Sequence, residues 1–430
     1  MRPRRLTPPV RRTARRWRTP PAITQGSEAF EGLGVLDEIG GPPGLVLWQA
    51  LRDVGLWAAL EPEERGEVFV PGADAALAAM VRAAEVDAQL EPPLAAVVRL
   101  LADPGGTPGE AVEAACRGIS GWADAHGHLA TSIAFAQAAA LAVPRNAGAA
   151  CAVGRLARRR AEYARAETWF RRSIALARQS GDWAAYAQAF SGLGNLYLQR
   201  GNYPAARRFQ VRSLRAARRH SLRPIQGAAM HDLFVIAAGS HQPGDAERYA
   251  REAFHLYGAG HERLAALAAD IAYYWMERGY FAPAHAVFEA LLPHLQRPDE
   301  RLTGLANTAR AAAGAGERRR FEESWDEAWG AVTRGEPGAG AAQVLLELAR
   351  GAAQLGEGER AQRAAERAVG LAGARGESRT LLAAEAVLDA AWRGRAGLAA
   401  PAPPSPAAAA ETDAFAADLV RTLHAALLAR

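Results

Sequence analysis

The sequence predicts an all-α protein built from stacked antiparallel helix pairs. Two observations point there: the 50% apolar share is carried largely by alanine, and one pattern of glycine, aromatic and small residues recurs along most of the chain. Alanine is the best helix former and buries little surface, so it suits helices that approach closely more than a core of large side chains. A fixed period means that each helix pair buries its apolar face on the next pair.

The pattern is a helix, a Gly or Ala turn, an aromatic or leucine two residues on, a small residue three further, then a second amphipathic helix. Its clearest copy is Leu193-Gly194, Tyr197, Gly201, Tyr203 and Ala206, ending in Phe209 and Leu214. Gly154, Tyr163, Ala166, Phe170 and Ile174 match it upstream, and Gly279, Phe281, Ala284, Phe288 and Leu292 match it downstream. Small residues suit the point where two helices cross, glycine suits a turn at positive φ, and aromatics fill the space between pairs.

These residues resemble the tetratricopeptide repeat family, whose signature places a large residue, Leu-Gly and Tyr on one helix and Ala, Phe and Ala on the next. The resemblance implies a right-handed α-solenoid, a tetratricopeptide-like superhelix. The residues opening successive second helices are Ser132, Ala166, Ala206, Ala246, Ala284, Phe321 and Ala361, at intervals of 34, 40, 40, 38, 37 and 40. The family repeats at 34, so most copies are of the longer type. Three positions depart from the pattern: His241 stands at a turn glycine, Phe321 at the small residue and Gln210 at an aromatic site.

The expected organisation follows. Residues 1–26 are Arg/Pro-rich without apolar period and read as a disordered arm able to touch nucleic acid or acidic surfaces. Residues 27–110 read as a helical, non-repeat N-terminal domain, broken by Pro42-Pro43, Pro71, Pro92-Pro93 and Pro104-Gly105-Gly106 and capping the first repeat. Residues 111–395 hold about seven repeats, 396–411 an Ala/Pro linker, and 412–430 a final helix. That helix carries Phe415, Leu419, Leu423 and Leu427 at four-residue spacing, a stripe expected to dock as a terminal cap.

Charge needs to be located before it is interpreted. The net charge is +5, every one of the 51 basic residues is arginine, and residues 1–18 hold eight of them without an acid, which leaves −3 for the rest. Arginine without lysine is the signature of a GC-rich genome and carries no function by itself. Two cysteines, Cys116 and Cys151, exclude a disulfide scaffold and fit a reducing compartment, so a cytoplasmic protein is expected. Neither a membrane span nor the apolar run of a signal peptide is legible.

No constellation promises catalysis, cofactor binding or metal binding. A phosphate-cradling loop ending in Gly-Lys is impossible without lysine. His126, His128, His220, His231 and His241 form no ligand spacing with the cysteines, and Gly32-x-Gly34 lacks the rest of a dinucleotide fingerprint.

Two features point to binding. Arg155 to Arg223 contains 16 arginines against Glu162, Glu167 and Asp182. Within it Arg208, Arg212, Arg215 and Arg219 share one face of a second helix, which the family resemblance places on the convex side. The resemblance also implies a concave groove lined by the first helices: Arg155 and Arg159, Ser191 and Asn195, His231, Asp232 and Val235, Tyr273 and Glu277, Arg310, and Glu347 with Arg350. In peptide-binding members the asparagine at the place of Asn195 contacts a ligand main chain or carboxylate. The groove is therefore expected to grip an extended, partly acidic peptide through Arg155, Arg159, Asn195, Arg310 and Arg350. Three readings stay open: a scaffold binding a protein or peptide in its groove, a partner-sensing regulator with the repeats as sensor, and a nucleic-acid-associated protein using the basic strip of 155–223.

Overall fold

The computed structural model describes residues 32–334, 338, 340–393 and 406–428. The expected arm at 1–26 lies outside them, as does most of the expected linker. Every regular element described is a helix. They are α1 (Leu33–Glu38), α2 (Gly41–Ala59), α3 (Ala73–Ala83), α4 (Glu91–Ala102), α5 (Gly109–Ala125), α6 (Leu129–Ala142), α7 (Ala147–Arg159), α8 (Tyr163–Ser180), α9 (Trp183–Gln199), α10 (Tyr203–Arg219), α11 (Arg223–Gly239), α12 (Pro243–Tyr257), α13 (Leu264–Glu277), α14 (Phe281–Leu291), α15 (Pro298–Ala315), α16 (Arg318–Arg334), α17 (Ala341–Gln354), α18 (Gly358–Arg375), α19 (Ser378–Trp392) and α20 (Pro406–Leu428), with 3₁₀ turns at Pro62–Glu67 and Leu292–His294. Helices adjacent in sequence pack as pairs, giving an all-α solenoid in which α5–α10 and α13–α19 stack in chain order within two compact units, residues 1–236 and 237–430.

The repeat is visible in the turns. Gly127, Ala161, Gly181, Gly201, Ser221, His241, Gly279, Gly316, Gly356 and Gly376 all have positive φ, and each stands two residues before the next helix. In nine of these turns the following N–H donates to a carbonyl five residues back, as in His128 to Ala123, Gln242 to Ala237 and Glu357 to Ala352. This ends one helix and starts the next within three residues. His241 fills its glycine position with φ 54, so the missing glycine strains a turn without changing its geometry.

Ser132, Ala166, Ala206, Ala246, Ala284, Phe321 and Ala361 each occupy the fourth position of their helix, and all are fully buried. Phe321 is accommodated by an exchange of sizes: Gly351 on α17 lies against it, and a Cβ there would sit 3.3 Å from Phe321 Cε2. The same arrangement holds at Phe170, over which both Gly154 and Gly192 are bare; a Cβ on Gly192 would fall 2.3 Å from Phe170 Cε1.

In the first unit, α1–α4 pack on α5 and α6 in one core containing Val35, Leu47, Trp57, Leu94, Ile119 and Phe135. Trp57 is fully buried and its indole N–H donates to Pro104 O at 2.7 Å. The Glu38 carboxylate accepts from the N–H groups of Ala130 and Thr131 at 2.7 and 2.8 Å, satisfying the orphan donors at the start of α6 with a charge that suits the helix dipole. The prolines that punctuate the segment sit largely at helix starts, in the first turns of α2 and α4, where a missing N–H costs nothing.

In the second unit, two expectations about the C-terminal helix need correction. It begins at Pro406, not Thr412, because proline fits the first helical position and Ala407–Ala410 are strong helix formers, although together they read as a linker. It also does not cap the end of the array. Its stripe folds back onto α12–α14, where Phe415 lies 5.5 Å from Phe254 and 5.6 Å from Trp275, ring to ring. Leu419 and Leu423 are fully buried, whereas Leu427 is only half-buried. Leu382 and Trp392 of α19 stay 67% exposed, so the last stacked helix keeps an apolar face open.

Candidate partner-binding surfaces

Alternate helices in each unit carry the residues expected to line a groove, and the structure brings most of them together. In the first unit Ser191 and Asn195 project from consecutive turns of α9 toward Asp232 on α11. Ser191 Oγ donates to Asp232 Oδ2 at 3.0 Å and Asn195 Nδ2 to the same oxygen at 3.2 Å. Beneath them lies Gln210, fully buried, on α10. Its amide nitrogen reaches Asp232 Oδ2 at 2.8 Å, Asn195 Oδ1 at 3.0 Å and the Ser191 carbonyl at 3.2 Å. Gly194 makes room for it, since a Cβ there would lie 2.7 Å from that nitrogen.

Gln210, which the pattern flagged only as a missing aromatic, is thus the buried centre of this polar cluster. A glutamine in an aromatic slot brings a donor into the core, and a buried donor needs an acceptor. Asp232 supplies it and is itself buried. Burial pulls the Arg158 pKa below its ordinary value, and the Asp232 carboxylate opposes it only in part. Arg155 is exposed, and Arg159 pairs with Asp124 on α5. His231 is buried, and Val235 is half-buried.

In the second unit the expected residues form one closed network. Arg310 on α15 bonds Glu277 of α13 at 2.6 Å and Glu347 of α17 at 2.7 Å, while Arg350 bonds Glu347 at 3.1 Å. Tyr273 and Gln343 donate to the same Glu347 oxygen at 3.3 and 2.6 Å. Glu347 is 2% exposed and Arg310 7%. Burial would lower the Arg310 pKa, but Glu347 and Glu277 outweigh it and hold the guanidinium charged above its ordinary range. Burial, with Glu347 second, pushes the Tyr273 phenol up to about 12.

Two arginines therefore face two carboxylates, and the cluster is neutral. Arg310 and Arg350, expected to grip an acidic peptide, have carboxylate partners within the chain. Sequence spacing did not pair the arginines with Glu277 and Glu347.

The basic strip differs. Helix α10 has no acidic residue, and Arg208, Arg212, Arg215 and Arg219 are all exposed. Among the described residues none of the four has a carboxylate within 4.0 Å. Arg208 lies 5.2 Å over the Phe209 ring, and Arg212 lies 5.8 Å from Phe190 and 6.0 Å from Phe209, so the aromatic edge orients these guanidiniums while leaving their charge outward. Like charges four residues apart oppose the helix by about 0.2–0.5 kcal/mol per pair. The four span roughly 16 Å at 1.5 Å per residue.

Chemistry elsewhere is muted. Burial pushes the Cys116 thiol up to about 12 and that of Cys151 up to about 11, so neither is a thiolate at neutral pH. Among the described residues no group of three His, Cys, Asp or Glu side chains is placed to hold a metal, and no helix is long and apolar enough to cross a membrane.

The fold defines a helical-repeat protein. Residues 146–219, which run from the Asn146 cap of α7 to the end of α10 and so comprise two helix pairs, match the family model of the tetratricopeptide repeat. No curated protein matches the chain. Among solved structures it is similar to BtubC (BKLC) from P. vanneervenii, at 18% identity and a TM-score of 0.42, covering 49% of this chain and 92% of that one. It is also similar to PilF of Pseudomonas aeruginosa, at 16% identity and a TM-score of 0.41, covering 56% and 97%. At those scores neither likeness informs function.

Proposed function

We propose that the protein is an interaction scaffold that meets an acidic protein partner on the arginine face of α10. The observation that carries this reading is the contrast between the two sets of arginines. Arg310 and Arg350 are spent on the buried Glu347, whereas Arg208, Arg212, Arg215 and Arg219 are exposed, aligned and, among the described residues, without a carboxylate within 4.0 Å. A partner helix presenting carboxylates at matching spacing relieves the repulsion within the strip and gains charge-assisted hydrogen bonds. Scarce aromatics between the arginines disfavour single-stranded nucleic acid, whose bases need stacking platforms. Two buried, protonated cysteines suit a cytoplasmic setting.

The test is fluorescence anisotropy with a helical peptide bearing glutamates at i, i+4, i+7 and i+11, against the unmodified chain and an Arg212→Glu/Arg215→Glu variant of unchanged circular dichroism. Binding should fall by at least about tenfold, since truncated charge pairs of this kind are worth 1–3 kcal/mol. Equal binding by both proteins defeats the proposal. Selective binding of a short DNA duplex, with a steep negative salt slope, would favour nucleic acid.

A second reading keeps the first-helix layer of the first unit as a peptide site, favoured by the exposed Arg155 and the half-exposed Ser191 and Asn195. Arg159, already paired to Asp124, adds little to it.

A further inference from the structure

We infer that the open face of α19 is an association surface whose occupant is the α2 face of a second copy of the chain, the two helices running antiparallel. Neither face includes the arginine strip of α10, so this inference stands apart from the proposed function.

A stacked helix array buries the apolar side of each pair on the next, and its terminal pair needs a polar outer side to stay soluble. Helix α19 packs on α17 and α18, yet Leu382 and Trp392 point away from both and stay 67% exposed. Among the described residues no other large apolar side chain between Met80 and Leu382 is exposed, and those that precede them include Leu45 and Leu56 on α2, 50% and 47% exposed. Helix α2 packs on α1, α3, α4 and α6 through its buried side. Its outward face carries Leu45, Arg52 and Leu56, with the half-buried Trp48 between them and the Arg52 guanidinium 5.7 Å from the Trp48 ring.

The two faces match in order, spacing and charge. On α2, Arg52 comes seven residues after Leu45, and Leu56 four residues later; on α19, read backward, Glu385 comes seven residues after Trp392, and Leu382 three residues later. Seven residues are about 10 Å along either helix, so an antiparallel pair sets Leu45 on Trp392, Arg52 on Glu385 and Leu56 on Leu382. Arg52 and Glu385 are both exposed, and among the described residues neither has an opposite charge within 4.0 Å. A parallel pair would instead bring Arg52 to Asp389, which Arg393 already holds at 2.7 Å. Two α19 faces do not suit each other, because laying Leu382 on Trp392 in both directions sets Glu385 against Asp389. The contact therefore joins two different surfaces, and each copy offers one of each.

The experiment is sedimentation velocity on the full chain from about 1 to about 100 μM, where the mean mass should rise with concentration. Leu45→Glu and Trp392→Glu, each with unchanged circular dichroism, should weaken association at least about tenfold, since each sets a charge on the apolar centre of one face. An equimolar mixture of these two variants should restore a dimer and nothing larger, because one copy keeps its α19 face and the other its α2 face. Arg52→Glu should also weaken association at least about tenfold, and Arg52→Glu with Glu385→Arg in one chain should restore it. A chain that stays monomeric throughout overturns the inference and leaves these faces to another protein or to other residues of the same chain. Association that the single variants do not weaken, a mixture no heavier than its components, or a charge exchange that restores nothing overturns it as well.

Discussion

Replacing Glu347 by leucine should destabilise the second unit by about 3 kcal/mol, the lower end of the 3–5 kcal/mol found when one member of a buried ion pair is removed. The position within that range follows from the structure. Glu347 is 2% exposed and accepts from Arg310, Arg350, Tyr273 and Gln343. Its loss leaves Arg310, 7% exposed, with a second carboxylate, Glu277, still at 2.6 Å. That remaining partner is 44% exposed, so it compensates only in part. Leucine at both 310 and 347 removes the stranded charge as well as its partner, and the double variant should cost far less than the two single ones together. A coupling energy of about 2 kcal/mol or more is expected. Urea unfolding followed by circular dichroism, with hydrogen exchange on α13, α15 and α17, measures it. Additive single effects, or a loss below about 1 kcal/mol for Glu347→Leu, would refute the view that these arginines are structural and return them to the pool of ligand-binding residues.

The packing and the titration of single side chains lead to further outcomes. Gly192→Ala should destabilise by about 1–3 kcal/mol despite alanine's better helix propensity, because the new Cβ would stand 2.3 Å from Phe170; an increase in melting temperature would count against the crossing geometry. His241→Gly should stabilise by about 1 kcal/mol by relieving the φ of 54 at that turn, as read from the denaturation midpoint, and no gain would show that the histidine side chain contributes elsewhere. Burial depresses the His285 pKa below its usual 6.5, so the unfolded chain takes up this proton at a higher pH than the folded one does. Its contribution to stability is therefore present above about pH 6.5 and lost as pH falls through the folded value, and His285→Gln should flatten the pH dependence of stability below that point.

The helix pairs were legible in the sequence because their determinants are local and periodic. A small residue three places into a helix and an αL residue two places before it recur often enough to fix the register, and Ser132 through Ala361 all occupy the same helical position. Even departures kept their place: His241 adopts the glycine conformation, and Phe321 stays at the crossing because Gly351 gives way. Residues 27–110 offered prolines and apolar stretches but no repeat, so the sharing of their core with α5 and α6, and the reach of Glu38 across 92 residues to cap α6, could not be read from them.

The sequence by itself determined the helical class, the period and the concentration of arginine on α10. Only the tertiary structure decided which charges are free. Arginines at 310 and 215 look alike in a sequence, since a side chain's field depends on neighbours brought close by packing rather than by spacing. Folding places Glu277 and Glu347 beside the first and, among the described residues, no carboxylate within 4.0 Å of the second. The same holds for α20, whose apolar stripe is plain in the sequence but whose seat is set by Phe254 and Trp275, aromatics that become neighbours only when α12 and α13 pack.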